Sequence, residues 1–143
     1  MSHLLPASTT SATLRRVLLA CLCAGGAMAA QAQGAMPQWQ GAGSARYVCG
    51  GIGSDESTAM RAAMKEHPLA LLFARSDGAY LTDVQVDIKG ADGAPSLGLR
   101  ASGPVCLVDL PAGRYTIDAA MAGSAKSQTV TVGGGSKTVD FRF

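Results

Sequence analysis

Few side chains in this sequence are reactive, and their spacing limits the chemistry open to them. Cys49 and Cys106 stand well inside the chain, whereas Cys21 and Cys23 fall within an apolar N-terminal run. The inner pair lacks both C-x-x-C spacing and a second type of ligand, so redox catalysis and metal binding have no support. A structural disulfide between Cys49 and Cys106 is the expectation. Closing so long a loop stabilises a fold by about 4 kcal/mol in the chain-entropy model.

Past the N-terminal segment, His67 is the only histidine, and it precedes Pro68 at the end of a predicted helix. A cation there suits the helix dipole, so a capping or surface role is expected. No serine has the strained G-x-S-x-G context of a nucleophile elbow, and one histidine is too few for His-rich zinc hydrolysis. Asp83 and Asp87 would share a strand face about 13 Å apart, beyond the separations that serve glycosidases. Asp77 and Asp92 each precede glycine and read as turn formers. The loop Gly50-Gly51-Ile52-Gly53 invites a phosphate, but Asp55 and Glu56 place negative charge where the phosphate would sit. Hence no catalytic residue, cofactor or metal is expected.

Trp39, Tyr47, Tyr80 and Tyr115 are the aromatic residues that a stacking ligand such as a sugar would need. Met60 and Met64, one helical turn apart, read as the seat of a helix on a sheet. The terminal Val139-Asp140-Phe141-Arg142-Phe143 resembles the end of an outer-membrane barrel, yet short strands and few aromatics leave no lipid-facing band with two girdles.

The first 32 residues read as an export signal: Arg15 and Arg16, an apolar run too short to span a bilayer, then small residues. Cleavage is expected after Ala29 or Ala32. The stretch Leu18-Leu19-Ala20-Cys21 is a poor lipid-attachment box because Leu19 is bulky, so Cys21 and Cys23 are expected to be removed. Of the 12 Lys and Arg residues, Arg15 and Arg16 leave with the signal, and the remainder balance the 10 Asp and Glu. A neutral domain without a basic run has no electrostatic footprint for nucleic acid, and no membrane span is expected in the mature chain. The predicted location is the periplasm or outside the cell, an oxidising setting that suits the disulfide.

Residues 33–44 combine glycine, proline and polar residues without periodicity and read as a flexible leader. A strand is predicted over 46–49, followed by a helix with Ser54 as N-cap, Asp55 and Glu56 in its first turn, and Pro68 as its stop. After Pro68 the pattern is period two between turn signals, predicting strands over 69–75, 80–89, 96–101, 105–110, 114–121, 127–132 and 137–143. Over 80–89, Val84, Val86 and Ile88 fall on one face and Asp83, Gln85 and Asp87 on the other. The expected fold is all-β: an antiparallel sandwich of about 7–8 strands over 45–143, with one short helix after the first strand.

The stretch from Asp77-Gly78 through Leu81, Val84 and Val86 to Asp92-Gly93, with Leu110-Pro111-Ala112-Gly113-Arg114-Tyr115-Thr116-Ile117, resembles carboxypeptidase regulatory-like domains of transthyretin-type fold. The resemblance covers roughly 69–143 and rests on turn and core positions. It implies a non-catalytic module that assists folding or binds a partner, within a wider group of sandwiches that includes carbohydrate binders. The functional expectation is therefore protein contact in the cell envelope, with an envelope protein as partner. The alternative is a carbohydrate or cell-wall glycan held by the exposed aromatics.

Overall fold

The computed structural model describes residues 36–143. The expected export signal, both expected cleavage positions and the first residues of the expected leader lie outside the described residues. Nine strands and one helix follow: β1 (Gln40–Ala42), β2 (Ala45–Gly50), α1 (Ser54–Ala63), β3 (Leu69–Ala74), β4 (Val84–Gly90), β5 (Leu97–Ala101), β6 (Val105–Asp109), β7 (Gly113–Met121), β8 (Ser124–Val132) and β9 (Lys137–Arg142). They form a five-stranded sheet, β1-β2-β6-β3-β9, packed on a four-stranded sheet, β5-β4-β7-β8. All neighbours are antiparallel except β3 and β9. No helix among the described residues is long and apolar enough to cross a membrane.

The expected all-β sandwich is present, with one strand more than anticipated. The extra strand lies in the stretch read as a flexible leader: Gln40 faces Tyr47 across the β1–β2 hairpin. Ordered packing therefore begins before residue 45, and α1 follows the second strand, not the first.

Alternation predicts β4 correctly, with Val84, Val86 and Ile88 buried and Gln85, Asp87 and Lys89 exposed. It fails for β3 and β6, which are nearly continuous apolar runs, Leu-Ala-Leu-Leu-Phe-Ala and Val-Cys-Leu-Val-Asp. Both strands are covered on two faces. Leu69, Leu71, Phe73, Cys106 and Val108 pack toward the other sheet, while Ala70, Val105 and Leu107 join Val48 and Met60 in a second cluster beneath α1. Met64 packs on that second cluster, so the pair Met60 and Met64 does seat the helix.

Local chemistry explains the turns. Tyr115 is buried, and its hydroxyl donates to the Pro111 carbonyl at 2.7 Å, tying the start of β7 to the preceding turn. Burial raises the pKa of that phenol. Asp77 accepts the Ala79 N–H at 3.0 Å, as a turn-forming aspartate should. Between β7 and β8, Ala122 and Gly123 both have positive φ, 44° and 80°, which gives the tight hairpin its twist. The strand expected over 80–89 starts only at Val84, because Asp83 sits at φ 61° and Tyr80 makes an isolated bridge to Ala74.

Candidate functional site

Cys49 and Cys106 are directly opposed on β2 and β6 and are joined by a disulfide, with Cα atoms 4.1 Å apart. Both sulfur-bearing side chains belong to the core between the sheets. The bond therefore fixes the register of two adjacent central strands and presents no reactive thiol.

The glycine loop is occupied by the chain's own carboxylate. Glu56, in the first turn of α1, accepts the N–H of Gly51 at 2.7 Å. The N-cap position is Gly53 at φ 85°, not Ser54, and no side-chain oxygen caps the helix there. A methyl group at Gly50 would press on Pro37 and the carboxylate of Glu56, while Gly51 and Gly53 take positive φ, 97° and 85°, that favours glycine.

His67 occupies a polar cluster on the outer face of the five-stranded sheet, in place of a helix-capping position. Its Nδ1 lies 2.8 Å from Asp109 Oδ1, with Nδ1–H donating to the carboxylate. Arg46 donates to the other oxygen of Asp109 at 3.0 Å and stacks its guanidinium 5.3 Å over the Trp39 ring. Trp39 in turn packs on His67 with ring centroids 4.8 Å apart. These four side chains tie Trp39, ahead of β1, to β2 and β6, with Asp109 bonded through one oxygen to His67 and through the other to Arg46. Among the described residues no group of three or more His, Cys, Asp or Glu side chains is placed to hold a metal ion.

The aromatic residues are dispersed. Tyr115 is fully buried and cannot stack on a ligand. Tyr47 packs on the core between the sheets, with its hydroxyl on Gln40 at 2.9 Å, while Trp39 packs on the cluster under α1. Tyr80 is 62% exposed, and Arg61 covers its ring at 4.9 Å. The glycan-stacking platform suggested by these four residues is not assembled.

The carboxylates are also dispersed into ordinary pairs. Asp83 meets Arg100 at 3.4 Å, outside any strand. Asp87 faces Asp118 directly across β4 and β7, and Asp118 accepts from Lys89 at 2.7 Å and from Ser127 at 2.6 Å. The hydrogen bond from Lys89, then that from Ser127, lowers the pKa of Asp118, and the same pairing raises that of Lys89.

What remains unpartnered is backbone. Strand β8 is nine residues long and pairs with β7 along its whole length, while its other edge meets no strand among the described residues. Every residue from Ser124 to Thr129 is exposed. Toward its end β8 approaches β9: Val130 and Val132 pack on the core, and the side chain of Gln128 donates to the Asp140 carbonyl at 2.8 Å. Beside its first residue, a cleft of about 250 Å³ opens between the sheets, lined by Arg75, Leu81, Met121, Ala122, Ser124 and Phe143. None of these residues stood out as a site in the sequence. The available signal was the run Ser124-Ala125-Lys126-Ser127-Gln128-Thr129, whose alternate positions lack the large apolar residues of a half-buried strand.

No family model, curated protein or solved structure matches this chain.

Proposed function

We propose that this chain is an exported, non-catalytic module of the cell envelope that acts through protein contacts, and that it binds by accepting a partner strand on β8. The unpaired nine-residue edge carries this reading. An open edge offers a row of backbone donors and acceptors, and an extended segment that pairs with it gains main-chain hydrogen bonds at little steric cost. Export rests on the N-terminal signal pattern, and the resemblance of the 69–143 stretch to carboxypeptidase regulatory-like domains agrees with a binding role.

A photo-cross-linking amino acid introduced at Thr129 on β8, or at Gln85 on the outer face of β4, tests this in cells producing the full chain. A protein adduct from position 129 that position 85 lacks is the expected result. Equal adducts from both positions, or none from position 129, would overturn strand addition at β8.

A further inference from the structure

The direction of β8 places the cleft at a defined end of any strand that pairs with it. The chain enters β8 at Ser124, so an antiparallel partner reaches Ser124 with its C-terminal end. Facing positions across β7 and β8 include Met121 with Ser124, Ala119 with Lys126, and Ile117 with Gln128. Ile117 and Ala119 point into the core, so Ser124, Lys126 and Gln128 share the inward side of β8. A residue added opposite Ser124 also points inward, over the cleft.

We propose that this cleft receives the last residue of a partner's C-terminal segment. The inference rests on strand addition at β8 and names the peptide class that fits there: a free carboxylate, an apolar final side chain, and an acidic residue two positions earlier.

The cleft supplies a partner for each of these groups. Leu81, Met121 and Phe143 give it an apolar lining, and its volume of about 250 Å³ suits one side chain better than a drug-sized ligand, which needs about 300–1,000 Å³. Arg75 stands at the rim, 64% exposed, and among the described residues its one ion pair is with Asp77, at 4.0 Å. Its guanidinium is thus placed for a terminal carboxylate.

Lys126 sets the third requirement. It forms none of the ion pairs among the described residues, and it lies two positions along β8 from Ser124 on the same side. The residue facing it belongs two places before the partner's end. An inward-pointing lysine on an edge strand penalises indiscriminate pairing. Strand β8 contains no acidic residue, so a second copy of this chain pairing through β8 offers Lys126 no counter-charge.

The test uses the full chain and a displayed library of random octapeptides with free C-termini. Selected sequences are then resynthesised in four forms: free acid, C-terminal amide, last residue changed to glycine, and N-methylated at alternate residues in each of the two registers. Affinity is read by fluorescence polarisation, and the site by backbone amide NMR shifts. Enrichment of Asp or Glu two places before an apolar last residue is expected, with shifts along β8. The glycine form should lose at least about tenfold in affinity, as burial of one apolar side chain implies. The amide form, and the free acid on an Arg75→Gln chain, should each lose about fivefold, as a partly exposed ion pair implies. One N-methylation register should abolish binding.

Peptides that shift β8 but tolerate amidation and any last residue would overturn the cleft proposal while leaving strand addition standing. Binding that survives both N-methylation registers, shifts that avoid β8, or a library without binders would overturn both.

Discussion

The five-stranded sheet is covered on both faces, by the other sheet on one side and by α1 with Trp39 on the other, whereas the four-stranded sheet is covered on one. The coverage shows in composition: β3 and β6 are nearly continuous apolar runs, while β4 and β7 alternate. It also shows at the edges. The β2 edge is partly closed by the short strand β1, but β8 pairs with no strand along its outer edge and is exposed from Ser124 to Thr129. Stability is concentrated in the doubly covered sheet, with its disulfide and its Arg46, His67 and Asp109 cluster. The longest strand at a sheet edge, β8, belongs to the other sheet. In the proposed reading, a partner would pair there without disturbing the elements on which the fold most depends.

Substitutions that act on one sheet and spare the other probe this contrast most directly. Replacing Cys49 and Cys106 together by alanine should lower unfolding free energy by about 4 kcal/mol in urea titrations, because the closed loop has a sequence separation of 57. A loss under about 1 kcal/mol would show that the strand pairing alone holds the register. Leu107→Ala, under the helix, should cost about 3 kcal/mol, and Asp87→Asn, on the open face, no more than about 0.5 kcal/mol. Equal costs would break the comparison. Tyr115→Phe should cost about 1 kcal/mol by stranding the Pro111 carbonyl.

The same tyrosine gives a pH signature. Its folded-state pKa lies above the ordinary phenol value, so its contribution is complete below that ordinary value and is lost as pH rises through the folded one. The phenylalanine variant should lack this alkaline decline. Ala122→Asn should raise stability by about 0.5–1 kcal/mol, since asparagine tolerates positive φ better than alanine in this hairpin. The smallest effect is electrostatic. Asp118 should titrate below an ordinary carboxylate in NMR, and Lys89→Met should move that midpoint upward. Its pairing favours the fold above the unfolded pKa, and that advantage is lost as pH falls through the folded value.

Turns and singly covered strands were legible because their causes are local. Asp77-Gly78 and Asp92-Gly93 mark backbone that must reverse, and the alternation of Val84, Val86 and Ile88 records one wet face and one dry face. The Cys49 and Cys106 pair could be foreseen from the number of cysteines and the expectation of export. The position of Trp39 could not, because a glycine-rich segment gains order only from surfaces supplied by β2, β6 and α1. Nor could the separation of Tyr47 from Trp39 onto opposite faces, or the meeting of His67 with Asp109 across 42 residues. Composition and periodicity by themselves determined a β-sandwich with a buried staple and no catalytic motif. Which strand was left at an edge, and which side chains surround its end, were decided only by tertiary structure, because strand order depends on pairings between residues far apart in the chain.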